Sequence, residues 1–361
     1  MRFVTTGGVL LLLIALFVAG GCGDDPVSPG GSSPKPAHEY EIVLNALVTD
    51  SLGGHSFVMM VFDPDSTGVK QTIPFNTSLA AMTTTKDGSR MFVSKTYPKP
   101  YEVWSSSWPP TDTLASHAGL AAGQLALSAD EQYLLASSGH AVLYALPGLV
   151  PVYIDSASAD CGAFLPGRTA FCYHRFMNDT VIVVDYGTAP MTVHQQSLRG
   201  AGDEPLAIQA LCPSAGGDRL IIAAEDTQSN IKYMMVVSTD NLAIIDQVTI
   251  APSFRQMVPV ADSGGRYTYW MAKGSTWPAP TPGAIYRYDI QTKELTSILD
   301  DSNGGPYLPE EMLVTPDGEY LYVTSVLYLY RMRLSDGQTE LVDSIGVSDH
   351  QNFAVTVRTT N

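Results

Sequence analysis

Seven histidines and four cysteines are the residues best able to do chemistry in this chain, and their spacing excludes several kinds of it. There is no His-x-His, His-x-x-His or Cys-x-x-Cys, so the sequence holds no local metal-ligand cluster and no metal is expected. The lack of Cys-x-x-Cys-His excludes covalent haem. There is neither a Gly-x-Ser-x-Gly elbow nor a phosphate loop, and no cofactor is expected. What remains is acid–base chemistry. Asp160, Glu204, Glu310, Glu311 and Asp349 are carboxylates that a fold could gather to bind a cation or exchange protons. A hydrolase would need a histidine and a cationic group beside them, and His174, Arg255 and Glu310 are the candidate set. Cys161 and Cys172 flank Leu165-Pro166-Gly167-Arg168 symmetrically, so a tight hairpin would set them face to face as a candidate disulfide, while Cys212 reads as a buried thiol.

The elements that must position these groups recur along the chain. An apolar strand, an Asp- or Gly-containing turn and a second apolar strand appear at Val314-Thr315-Pro316-Asp317-Gly318-Glu319-Tyr320-Leu321-Tyr322-Val323. The same unit returns around Asp87-Gly88 and Asp130-Glu131, and more weakly around Gly167, Gly216-Gly217 and Gly264-Gly265. Asp or Gly there accommodates the positive φ of a tight turn. A second turn follows each unit, as at Asp63-Pro64-Asp65-Ser66-Thr67-Gly68 and Asp336-Gly337. Seven copies at a period of roughly 36 to 53 residues predict an all-β, seven-bladed β-propeller of four-stranded blades. The N-terminal copy, from Tyr40, has only three strands, and Asn352–Arg358 is an orphan strand at the other end. One blade is therefore expected to be built from both chain ends, which leaves no open sheet edge.

In such a ring, the loops entering each innermost strand share one end of the channel with the loops joining strands two and three. His55, His117, His140, His174 and His350 are expected in loops of that end, with His38 at the N-terminal tether and His194 in an outer strand. Two long loops there are rich in contact residues: Ser94–Tyr101, with Tyr97 and Tyr101, and Lys273–Gly283, with Trp277. Aromatics held among prolines lose little entropy on binding, so Tyr97, Tyr101 and Trp277, with His140 and His350, are the candidate binding residues.

The first residues direct export. Arg2 precedes an apolar run from Val9 to Ala19 that is too short to span a bilayer comfortably, and Val18-Ala19-Gly20-Gly21-Cys22 closes it. This resembles a bacterial lipoprotein signal peptide, although Ala19 stands where the motif most often has Leu. The resemblance implies cleavage before Cys22, a lipid on its thiol and a membrane as partner. Gly23 after the cysteine implies the outer membrane, at its periplasmic face or the cell surface. An ordinary secretory signal would also export the chain. Gly23–Pro36 is dominated by Gly, Ser and Pro and reads as a flexible tether. The expected organisation is signal peptide 1–21, tether 22–38 and propeller 39–361.

The formal charge of −16 and the absence of any basic cluster exclude a nucleic-acid partner. The Asp-Gly turn followed by Leu321-Tyr322-Val323-Thr324-Ser325 resembles the YVTN-type propeller repeat of surface-layer-like and lactonase-like proteins, with Ser325 where the motif has Asn. No Trp-Asp dipeptide occurs, so the chain is not a standard WD40 array. The resemblance implies a binding module for a protein, peptide or glycan. A lactonase-like hydrolase and a structural subunit of an envelope complex are the alternatives, since fold alone does not fix function.

Overall fold

The computed structural model describes residues 38–360 except 50–54, 67, 76, 98–101, 119–121, 138, 158, 176–177, 201–202, 251–255, 275–282, 301–308, 326–327 and 345–354. Every regular element among them is a strand, and each strand pairs antiparallel with its neighbours in one of seven four-stranded sheets. Blade 1 is β1 (Tyr40–Thr49), β2 (His55–Phe62) and β3 (Val69–Pro74), completed by β28 (Val355–Thr359). Blade 2 is β4 (Ser78–Thr84), β5 (Arg90–Tyr97), β6 (Glu102–Ser107) and β7 (Ala115–Ala118). Blade 3 is β8 (Gln124–Leu127), β9 (Tyr133–Ser137), β10 (Ala141–Ala145) and β11 (Val150–Asp155). Blade 4 is β12 (Ala159–Phe164), β13 (Ala170–Arg175), β14 (Thr180–Asp185) and β15 (Thr192–Ser197). Blade 5 is β16 (Ala207–Pro213), β17 (Arg219–Asp226), β18 (Ile231–Ser238) and β19 (Ile244–Ile250). Blade 6 is β20 (Gln256–Ala261), β21 (Tyr267–Lys273), β22 (Ala284–Asp289) and β23 (Glu294–Leu299). Blade 7 is β24 (Pro309–Val314), β25 (Tyr320–Ser325), β26 (Tyr328–Arg333) and β27 (Thr339–Ser344). The innermost strands β28, β4, β8, β12, β16, β20 and β24 contact one another in that cyclic order, so the blades form a ring: a seven-bladed β-propeller.

The repeated turn has a local cause. Thr315 Oγ1 donates to Asp317 Oδ1 at 2.6 Å and accepts the Tyr320 N–H at 3.0 Å, closing the turn from inside. Thr85 and Asp87 do the same in blade 2, and Ser128 and Asp130 in blade 3. The residue after the aspartate needs a left-handed backbone, which Gly318 adopts at φ 70° and Glu131 at 56°. The strands after these turns are buried on both faces, because each middle strand lies between two neighbouring blades. Large side chains fill the seams: Phe92 and Tyr144 between blades 2 and 3, Phe171 and Tyr173 between blades 3 and 4, and Tyr322 between blades 7 and 1. The outermost strands β11, β15 and β19 are largely exposed, as expected of the rim.

Both chain ends meet in blade 1. Strand β28 pairs with β1 from Tyr40 opposite Thr359 to Leu44 opposite Val355. Val355 and Val357 pack into the cluster of Ile42, Leu44, Phe62 and Tyr322. Arg358 Nη1 donates to Glu41 Oε2 at 2.7 Å, and its Nε donates to the Gly88 carbonyl of blade 2 at 3.0 Å. Thr84 of blade 2 donates to the Val357 carbonyl at 2.8 Å. The last strand is thus both an inner strand and a clasp. Deleting residues 351–361 exposes the β1 edge and removes this packing, at an expected cost of several kcal/mol, on the order of 25 cal/mol per Å² of lost apolar burial. Thermal unfolding measures it: the truncated protein should melt well below the full chain, and equal melting temperatures would refute this closure.

Candidate functional site: the central channel

The seven inner strands enclose a channel cavity of about 490 Å³ to which all of them contribute. Its chemistry comes from irregularities in those strands. The register shifts in β4, β12, β16 and β24 leave Ala80, Asp160 with Cys161, Gln209 and Glu310 as extra residues with no partner directly opposite. A bulge re-aims a side chain that strict alternation would send elsewhere. All five line the channel, joined by Gln124, Gln256, Lys273 and Glu311. These groups lie toward the starts of the inner strands or, for Lys273, at the end of a second strand, and so share the end of the channel where blade crossovers enter.

Much of this polar chemistry holds the ring together. At six blade boundaries an N–H in or just before the inner strand is met by a side chain from the preceding blade. Asn45 Oδ1 accepts from Leu79 at 3.2 Å, Ser94 Oγ from Ala122 at 2.6 Å, and Gln124 Oε1 from Gly162 at 3.2 Å. Cys161 Sγ accepts from Leu211 at 3.2 Å, Gln209 Oε1 from Met257 at 3.0 Å, and Glu311 Oε2 from Val355 at 3.0 Å. The seventh boundary, between blades 6 and 7, is crossed by Lys273 Nζ and Glu310 Oε2 at 3.2 Å. Gln209 is committed at both ends, since its Nε2 donates to Glu225, which also pairs with Lys232. Among the described residues, no hydrogen bond ties up Asp160 or Gln256. They and the Lys273–Glu310–Glu311 group are the chemistry the channel can offer a ligand.

Burial in the channel wall pushes the Glu311 carboxyl up to about 8, with Glu310 adding to the rise and the Val355 N–H and Lys273 opposing it. A carboxyl held neutral can donate a hydrogen bond at neutral pH. Glu310 and Glu311 therefore combine an ion-paired group with a protonated one on adjacent residues.

The sequence-predicted residues fare unevenly. Glu310, Glu311 and Asp160 do line the channel. His174 does not: it lies in strand β13, fully buried, rather than in a loop. Its Nδ1 lies 3.3 Å from the Arg175 carbonyl, and burial lowers its pKa while nearby Asp160 opposes that effect. The apolar run Ala170–Tyr173 extends one residue further than its composition suggests, which carries His174 into the sheet. His117 also lies in a strand, β7, with its ring 5.2 Å from Tyr144. His55 begins β2. His140 is in a bend, its Nδ1 3.2 Å from the Ser156 carbonyl, away from the channel lining. Glu204 accepts from Tyr233 at 3.1 Å. Tyr97 ends β5, but Tyr101, Arg255, Trp277, His350 and Cys22 lie outside the described residues.

Cys161 and Cys172 are free thiols, which corrects the disulfide expectation. The β12–β13 turn runs one residue later than the symmetric reading, so Cys172 faces Ala163, and the bulge turns Cys161 to the Leu211 N–H. Burial pushes the Cys172 thiol up to about 12 and the Cys161 thiol well above its ordinary value, which leaves both unreactive. The amides were missed, although a signal existed: Gln124, Gln209 and Gln256 each stand at or near the start of an otherwise apolar inner strand.

No protein family and no curated protein matches the sequence. Solved structures do match its fold. The periplasmic gluconolactonase PpgL of Pseudomonas aeruginosa superposes with a TM-score of 0.64 at 14% identity, over 89% of this chain and 99% of that one. A proposed 6-phosphogluconolactonase from Bacteroides fragilis NCTC 9343 gives 0.62 at 12% identity, over 90% and 99%. The β-propeller domain of Cps50 (Swd1) from Myceliophteria thermophila gives 0.60 at 14%, over 75% and 87%. At these identities the likeness establishes the propeller fold and nothing about activity.

The raised Glu311 carboxyl has a measurable consequence. Folding favours its protonated form, so its contribution to stability is complete below the ordinary value of 4.5 and is lost as pH rises through about 8. Wild-type melting temperature should therefore fall between about pH 5 and pH 9. Glu311→Gln, which keeps an acceptor for the Val355 N–H without a charge, should flatten that fall. Parallel slopes in thermal melts across the range would show that Glu311 is ionised throughout.

Proposed function

We propose that this protein is a lipid-anchored binding propeller of the cell envelope whose channel mouth receives the end of a glycan. The observation that carries this reading is the polar chemistry gathered around one cavity of about 490 Å³: Asp160 and Gln256, which no described hydrogen bond ties up, with Lys273, Glu310 and Glu311. That volume lies in the range of small-ligand sites, roughly 300–1,000 Å³. Carboxylates, an amide and an ammonium group are the donors and acceptors that hydroxyl groups require. An uncharged or amino-bearing sugar suits the site best. A phosphorylated sugar suits it poorly, because Lys273 is paired with Glu310 and two further carboxyls stand nearby. A protein or peptide ligand would engage the same end of the channel through the aromatic loops of Tyr97, Tyr101 and Trp277.

The anchor rests on Cys22 and the Gly-, Ser- and Pro-rich segment after it, which leads to a compact body beginning at His38. Such a tether suits a binding domain held near an outer membrane, whether periplasmic or at the cell surface. Replacing Cys22 with Ser should abolish metabolic labelling with palmitate and release the protein from membranes. An unlabelled, soluble wild type would refute the anchor.

Binding is tested with an array of neutral and amino sugars followed by calorimetry. Asp160→Asn combined with Glu310→Gln should weaken the best ligand by at least about tenfold, the scale of one lost charge-assisted hydrogen bond. A ligand held equally well by the double variant would place binding elsewhere. Tyr97→Ala with Trp277→Ala should weaken longer ligands while barely moving the melting temperature.

A lactonase-like activity is the second reading. It is favoured by the neutral Glu311 beside Glu310 and by the fold shared with a periplasmic gluconolactonase. In this chain it would draw on Glu310 and Glu311 without His174, which has no route to the channel. Lactone hydrolysis abolished by Glu311→Gln would support it in place of the binding module.

A further inference from the structure

The opposite end of the ring holds a histidine that the channel does not use. His38 immediately precedes β1, and its side chain is only 7% exposed. Its ring packs against Tyr40 and Tyr320, with centroids 5.2 and 6.0 Å away. A carboxylate faces each ring nitrogen. Asp65 Oδ1, from the turn between β2 and β3, lies 3.2 Å from Nε2, and Asp317 Oδ2, from the turn between β24 and β25, lies 3.0 Å from Nδ1. Nε2 is sealed from solvent yet makes no well-aligned hydrogen bond. A neutral imidazole has one N–H and one lone pair, so between two carboxylates one nitrogen lone pair faces an oxygen with nothing to mediate. Glu319 adds a third acid: ligand atoms of His38, Asp317 and Glu319 all lie within 4.8 Å of one another.

The aspartate alone is not distinctive, since Asp87 and Asp130 occupy the same turn position in other blades and accept the same turn bonds. Blade 7 differs in bringing a buried imidazole and a second carboxylate to it. Asp317 Oδ2 also accepts the Tyr40 hydroxyl at 2.9 Å, which fixes the carboxylate beside the imidazole. Asp317 and Glu319 are exposed, so an ion has a path in from solvent.

We propose that His38, Asp317 and Glu319 form a site for a divalent transition-metal ion of the zinc class, with Asp65 bracing the imidazole from its other nitrogen. One imidazole nitrogen with carboxylate oxygens suits Zn²⁺ better than Ca²⁺ or Mg²⁺, which favour all-oxygen shells. Three protein ligands leave a position for water. A carboxylate on the far ring nitrogen is the usual support of a metal-bound histidine, since it fixes which nitrogen carries the proton. The ligands come from the segment entering β1 and from blade 7, so the ion would join blade 7 to blade 1, the blade that the ring-closing strand completes.

Calorimetry with ZnCl₂ on the chain from Cys22 onward tests this, with MgCl₂ as control and melting temperatures in Zn²⁺ against chelator. Wild type should bind one Zn²⁺ saturably and melt higher with it, and should show neither effect with Mg²⁺. His38→Gln and Glu319→Gln should each weaken Zn²⁺ at least about tenfold and remove the thermal shift, and Asp65→Asn should weaken it by about 10–100-fold. Glu319→Gln keeps the backbone bond that shapes the turn, and circular dichroism of the metal-free variant checks that it folds. No saturable Zn²⁺ binding, or equal binding by wild type and the variants, overturns the proposal. So does a clasp stabilised by acidification alone and indifferent to Zn²⁺, which would make His38 an imidazolium bridge.

Discussion

The pairing of β28 with β1 is the constraint on which the rest of the molecule depends. Six blades have their four strands in chain order, but blade 1 takes its innermost strand from the other end of the chain. Until that strand docks, β1 has an open edge and β24 and β4 have no shared neighbour. Six of the seven blades are positioned partly by the blade before them, through a side chain that accepts an N–H in or just before the inner strand. A ring of this kind has no strong place to begin opening once closed, and only one weak place before. The clasp is accordingly reinforced with charge: Arg358 reaches Glu41, which also pairs with Lys70, and packs over Trp108.

Site and scaffold share the same residues. Gln124, Gln209, Cys161 and Glu311 line the channel and also hold one blade to the next. A substitution at these positions disturbs the ring along with any ligand. Asp160 and Gln256 are different, because no described bond requires them. None of the described bonds between blades accounts for their presence in the lining, which is the physical reason for giving them a role in recognition in the proposed reading.

The fold was legible because its signals are local. A threonine or serine, an aspartate and a residue tolerant of positive φ define the inner turns of blades 2, 3 and 7 within five residues, and the alternation between turns marks the strands. The closing strand was legible by elimination, as the one strand left without a blade. The channel was only half legible. Glu310 and Glu311 stood out as charges in an apolar strand, but the bulges that aim Asp160 and Gln209 inward depend on pairing with the next strand, which sequence spacing does not reveal. The same blindness to register produced the disulfide expectation: a one-residue shift in the turn moves Cys172 opposite Ala163. His174 was misplaced because a lone polar residue after an apolar run looks like the start of a loop, whereas here it is the last buried step of the strand.

The charge of the channel bears on one ligand class in particular, phosphorylated sugars. A phosphate needs cationic or N–H groups with nothing anionic competing for them. Here Lys273, the one lysine among the described lining residues, is already held by Glu310, and N–H groups in or just before the inner strands are occupied by side-chain acceptors at six boundaries. Among the described residues the mouth therefore presents acceptors with few free donors. Protonation of Glu311 changes that balance by supplying one donor and removing one charge. On the proposed reading, ligands rich in hydroxyl or amino donors are favoured in both states of Glu311, and its titration adds or withdraws a single donor in the channel wall.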